Sequence, residues 1–219
     1  MAKRIRILAG HYGSGKTNVA LNLAYRMKRE GRCVAIADLD IVNPYFRTKD
    51  SAQDLREADI RLISSPYANT NVDIPALPQE MYAIVDDRNT SFVVDVGGDD
   101  RGALALGRLT PSILAENDYE MLLVVNFFRP LTKDVASLIS IVEEMERASG
   151  IRFTGMINNS NLGCETSAED VLSTVKKMEE ASCATGLPVV YTTVMEELSD
   201  SLCGKIENLL PIVLQKKYY

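Results

Sequence analysis

Gly10-His11-Tyr12-Gly13-Ser14-Gly15-Lys16-Thr17 follows the spacing G-x-x-x-x-G-K-[ST], a pattern that grips the phosphates of a nucleotide. Each position has a mechanical job. The glycines let the backbone curl so that successive N–H groups converge on phosphate oxygens, forming a nest that side chains would obstruct. Lys16 sets an ammonium beside the β- and γ-phosphates, where it neutralises the charge on which hydrolysis depends, and Thr17 offers a hydroxyl to Mg²⁺. The candidate cradle is Gly10, His11, Gly13, Ser14, Gly15, Lys16, Thr17 and Asn18. A chance match in a chain of this length is on the order of one in a hundred. The plain alternative is a glycine-rich turn that holds nothing.

Binding alone is not hydrolysis, which also needs acidic groups for Mg²⁺ and a water held in line. Phe92-Val93-Val94-Asp95 is an apolar run ending in a carboxylate, followed by Gly97 and Gly98. That arrangement lets Asp95 hold Mg²⁺, through its water, while the N–H of a glycine such as Gly98 senses the γ-phosphate. Val34-Ala35-Ile36-Ala37-Asp38-Leu39-Asp40 is a second such run. Spaced i, i+2, Asp38 and Asp40 point to one side if the chain stays extended. The alternative for this pair is two solvated acids at the start of a loop.

Regular elements must place these groups. Strand-like runs recur at Ile5–Ala9, Cys33–Ala37, Ile60–Ile63, Phe92–Val96, Met121–Val125, Phe153–Ile157 and Val189–Thr192, with helical patterns between them. Val19, Ala20, Leu23, Ala24 and Met27 line one face of the first helix, which Gly31 stops. Another helix carries Val135, Leu138, Ile139, Val142 and Met145 on one face and ends near Gly150. A third opens with Thr166-Ser-Ala-Glu169, read as a capping box, and continues through Val171, Leu172, Val175 and Met178. Alternating strands and helices predict an α/β fold: a doubly wound, mainly parallel sheet with helices on both faces. Residues 1–219 read as one nucleotide-binding domain. Ser64–Gln79, with three prolines, is the irregular stretch, either a partner surface or a plain connector, and Pro78 starts the helix that follows it.

Gly10–Thr17, Asp38-Leu39-Asp40 and Asp95-Val96-Gly97-Gly98, in that order, resemble the MinD/ParA-type P-loop ATPases, a group that includes the nitrogenase iron protein and the nickel-insertion ATPases. The resemblance implies ATP and Mg²⁺ as cofactors. It also implies a homodimer that closes over two nucleotides and uses hydrolysis to release a protein partner, whose identity it leaves open. In relatives the second acid of the D-x-D pair positions the attacking water, which maps onto Asp40, a catalytic candidate. The first maps onto Asp38, near the Mg²⁺ shell. Asn43-Pro44-Tyr45-Phe46-Arg47 stands in the position of the first switch. After Phe153–Ile157, Asn159 is similar to the iron protein's adenine-binding asparagine, with Asn158 the fallback and a simple turn the alternative. The guanine motif N-K-x-D is absent. One departure matters: the family's extra loop lysine is His11 here, and a largely neutral imidazole does not replace an ammonium. Arg47, Arg101 and Arg129 are the substitute cations, unless activation across the dimer is weak. A metabolic ligase resembling dethiobiotin synthetase is the competing reading. An iron–sulfur reductase is disfavoured, since no cysteine closely follows Asp95.

The net charge of −6 gives no broad basic surface for nucleic acid. Cys33, Cys164, Cys183 and Cys203 form no C-x-x-C pair and are expected reduced and partly buried in a cytoplasmic protein. No apolar run reaches membrane-spanning length. Leu202–Tyr219 is expected to form a last helix packed on the sheet, in preference to an interfacial membrane helix.

Overall fold

The computed structural model describes residues 3–39, 51–64, 77–98 and 100–215. The apolar runs become β1 (Ile5–Ala9), β2 (Val34–Leu39), β3 (Arg61–Ser64), β4 (Ser91–Val96), β5 (Tyr119–Val125), β6 (Gly155–Asn158) and β7 (Val189–Met195), with an additional β8 (Leu209–Ile212). They form a single eight-stranded sheet in the order β3-β2-β4-β1-β5-β6-β7-β8. Every pairing is parallel. β1 lies inside, flanked by β4 and β5, and the chain leaves it to build outward on both sides. Such a switch point opens a crevice at the carboxyl ends of the strands.

Both faces of the sheet are covered, which is why the strands are apolar on both sides. On one face Ile5, Ile7, Phe92 and Val94 pack with residues of α4 (Asp100–Gly107), α5 (Thr110–Glu116) and α6 (Val135–Ser149). On the other, Leu8, Ile36 and Val93 meet Val19, Leu23 and Met27 of α1 (Lys16–Arg29). The alternation has a chemical consequence. Asp38 and Asp95 follow Ile36 and Val93 at i+2, so both carboxylates fall on the α1 face.

Four expectations change. The tail contains β8 rather than a final helix, although Leu202, Ile206, Leu209 and Leu210 have helical spacing. Gly204 and Asn208 take left-handed conformations, at φ 77° and 55°, and break any helix. Pro211 is tolerated because β8 is an edge strand, where the missing N–H faces no neighbour. Ile139 is exposed, and Leu138, Ile141 and Met145 form the buried stripe of α6. Leu172 is likewise exposed on α7 (Ala168–Thr185). The capping box is Ser167 with Asp170, one residue later than expected. Thr166 instead closes the preceding turn by donating to the Gly163 carbonyl over 2.6 Å. All four cysteines are exposed rather than partly buried. Pro78 directly precedes a 3₁₀ turn, Gln79–Tyr82, and α3 (Ala83–Asp86). Asp40, Asn43–Arg47 and residues 65–76 of the proline-bearing stretch lie outside the described residues. Among the described residues, no helix is long and apolar enough to cross a membrane.

Candidate functional site

The glycine loop leaves β1 at Gly10 and enters α1 at Lys16. Gly15 is the N-cap of α1 with φ 85°, a left-handed conformation that favours glycine. A β-carbon there would also collide with the Asn159 amide nitrogen. Among the described residues no side chain caps this helix, and no acidic residue sits in its first turn. Helix N-termini normally recruit one or the other, because their first N–H groups have no internal partner. A 14-residue helix with a bare positive end is prepared for an external anion.

The charged groups converge on that end. Lys16 is 6% exposed and donates from Nζ to the His11 carbonyl over 3.2 Å, so its ammonium folds back along the loop. The Thr17 hydroxyl donates to Asp95 Oδ2 over 2.7 Å. Asp95 is 1% exposed and pairs in register with Asp38 on the adjacent strand. A hydroxyl and two neighbouring carboxylates are hard oxygen donors suited to Mg²⁺. Among the described residues no cluster of three His, Cys, Asp or Glu side chains could hold a metal unaided.

The crown of the loop is backed by Gly98. A β-carbon on Gly98 would lie 2.7 Å from the Tyr12 nitrogen, so only glycine allows this approach. Gly10 sits beneath the Val124 carbonyl, which a β-carbon would approach to 2.6 Å. Ser14 is buried, and its hydroxyl has no hydrogen-bond partner among the described residues. His11 Nδ1 accepts from the Tyr12 N–H over 2.8 Å.

The two asparagines after β6 have separate environments. Asn159 is 1% exposed and donates from Nδ2 to the Ser14 carbonyl over 2.6 Å. Its Oδ1 accepts from the Thr193 hydroxyl at 2.6 Å and from Asn161 at 3.1 Å. It therefore braces the loop from behind. Asn158 turns to α7 instead, donating to the Thr174 hydroxyl over 3.0 Å. Asn18, grouped with the cradle by sequence, accepts from the Gln215 backbone N–H over 2.7 Å and anchors the C-terminal segment. Asn22 strengthens that anchor by both donating to and accepting from the Val213 backbone at 2.9 Å.

Thr193, Asn126 and Ser160 were not legible as site residues, although Arg129 in the same segment after β5 was named as a cation. Asn126 and Ser160 are buried at the ends of β5 and β6, and Ser160 Oγ accepts from the Phe127 N–H over 3.0 Å. Of the three substitute cations, Arg129 is the one whose side chain is described at the loop: its Cδ and Nε lie 3.9 Å from where a β-carbon of Gly13 would stand. Arg101 falls within α4, and Arg47 lies outside the described residues.

Over residues 5–190 the sequence matches the profile of the CobQ/CobB/MinD/ParA nucleotide-binding domain. No protein among the curated sequences matches the chain. Among solved structures, the chain is similar to the cell division protein FtsY of Thermotoga maritima, at 18% identity and TM-score 0.59, covering 88% of this chain and 62% of that one. It is also similar to the 54 kDa signal recognition particle protein of Aeropyrum pernix in complex with GDP, at 18% identity and TM-score 0.53, covering 88% and 41%. Chloroplast FtsY of Physcomitrella patens gives 18% identity and TM-score 0.53, covering 88% and 59%. The chain thus spans less than two thirds of each of these proteins, and likeness at this identity reports a shared fold.

Proposed function

Since the chain belongs to the CobQ/CobB/MinD/ParA nucleotide-binding domain family, we propose that it is a Mg²⁺-dependent ATP-binding protein and slow ATPase. In this reading it pairs with a second copy of itself when ATP is bound and so regulates or assembles a protein partner. The observation that carries the reading is the bare N-terminus of α1, set beside Lys16 and the Thr17–Asp95 hydrogen bond. Gly13 and Gly15 aim main-chain amides at the phosphates and Lys16 neutralises them. Thr17, Asp95 and Asp38 would hold Mg²⁺, which when bound supplies counter-charge to the phosphates. Asp40, just beyond β2, orients the attacking water. Hydrolysis by this site needs no covalent intermediate, because positioning and charge neutralisation carry the chemistry. One feature favours adenine: Thr132-Lys133-Asp134 does not complete a guanine motif.

Calorimetry with Mg²⁺ and ATP, then GTP, tests the reading. We expect ATP binding by the parent and no measurable heat from Lys16→Ala. Asp40→Ala should bind ATP, lose roughly 100-fold in turnover and accumulate as a dimer in light scattering. Turnover by Asp40→Ala at the parent rate would remove Asp40 from catalysis. A parent silent toward both nucleotides would remove the function.

A further inference from the structure

We propose that Arg129 is a phosphate-contacting residue of the same chain, which recognises the γ-phosphate and thereby favours triphosphate over diphosphate. The inference deepens the function proposed above and rests on it. Three observations support it.

The first is position. The Arg129 side chain runs along the crown of the glycine loop, with Cδ and Nε 3.9 Å from the β-position of Gly13. The guanidinium extends beyond Nε and is planar, with N–H groups spaced to bond two phosphate oxygens at once. The second is charge. Among the described residues no carboxylate forms an ion pair with Arg129, a property it shares with Arg29, Arg32, Arg56, Arg108, Arg147 and Arg152, and of these it is the one placed against the glycine loop. His11 stands near the same crown but lacks a permanent charge.

The third is the frame that carries it. The Arg129 N–H donates to the Asn126 carbonyl at 3.1 Å, and its own carbonyl accepts from the Thr132 N–H at 3.1 Å. The Thr132 hydroxyl also donates to the Asn126 carbonyl. The Asn126 side chain accepts from the Phe128 N–H at 3.0 Å and donates to the Asn161 carbonyl at 3.1 Å. Pro130 fixes the next backbone angle. Asn126 and Thr132 are 2% and 3% exposed, so this is a buried polar lattice rather than a surface connector. Asn161 in turn bonds Asn159, which holds the Ser14 carbonyl. The turn that bears Arg129 and the loop that grips phosphate therefore hang from one scaffold. It locks the root of the arginine and leaves its head exposed.

Titration calorimetry in Mg²⁺ with ADP and the slowly hydrolysed analogue AMP-PNP, and in parallel with GDP and GMP-PNP, tests the assignment on the parent, R129A and R129K. We expect R129A to lose roughly 10- to 100-fold in triphosphate affinity, to change less than about 2-fold for the diphosphate, and to show the same loss at every protein concentration. R129K should recover part of it. Thermal unfolding of R129A should match the parent, since the side chain is exposed. Equal losses for both nucleotides, no loss, or a loss confined to concentrations at which copies associate overturns the assignment while leaving the proposed function intact. A parent that binds none of the four nucleotides overturns that function and the Arg129 assignment with it.

Discussion

A single carboxamide braces the glycine loop from behind. Asn159 meets the Ser14 carbonyl with its nitrogen, while Thr193 and Asn161 hold its oxygen. Replacing it with alanine leaves the buried Ser14 carbonyl without that donor and opens space behind Gly15. Asn159→Ala is expected to weaken nucleotide binding about tenfold and to cost roughly 1–3 kcal/mol of stability, read by calorimetry and urea unfolding. Thr193→Val should give a smaller effect in the same direction, because Asn161 still holds the oxygen. Unchanged affinity in Asn159→Ala would show that the loop needs no brace. The geometry of Gly10–Thr17 and the strand-end place of Asp95 could be read along the sequence, because a glycine loop and an apolar run ending in a carboxylate are local patterns. The brace was not, since Thr193 and Asn159 are 34 residues apart and each reads locally as an ordinary polar residue.

Elements were legible where their signals are local. The seven strands expected from apolar runs all form, and α1 and α6 start and stop close to the residues that signal it. Errors arose where two local patterns compete. Thr166–Glu169 and Ser167–Asp170 both fit the capping spacing, and the second forms because Thr166 is occupied by the turn behind it. Ser167→Ala is therefore expected to cost about 1 kcal/mol, measured as a lower denaturation midpoint. Thr166→Ser, which keeps the turn hydroxyl, should leave that midpoint nearly unchanged. β8 was hidden because four residues are too short to show a period clearly, and leucines upstream suggested a helix instead.

At the scale of the whole molecule, the two ends of the sheet are differently built. The carboxyl ends of the strands carry the site, and the amino ends are sealed by Arg4. Its guanidinium donates to Glu116 and to the carbonyls of Ile84, Asp87 and Thr90. Arg4, and secondarily Arg88, holds the Glu116 carboxyl below its usual range against the opposing effect of burial. A carboxyl depressed in the folded state contributes stability fully present above its unfolded pKa and lost as pH falls through the folded value. Glu116→Gln should thus cost roughly 2 kcal/mol at pH 7, with the penalty shrinking below about pH 4. Nucleotide affinity at pH 7 should not change, because Glu116 lies at the far end of the sheet. Neither this seal nor the insertion of β4 between β1 and β2 could be read along the chain. Both depend on which distant segments meet, which local pattern does not encode. The bond between Asn159 and Ser14 joins positions 145 apart. During synthesis every amide of the Gly10–Thr17 grip is therefore in place long before its backstop is translated. A fragment that ends before β6, whether nascent or clipped by a protease, carries the whole glycine signature and lacks the Asn159 brace, so tight retention of a nucleotide would report that the later strands have arrived.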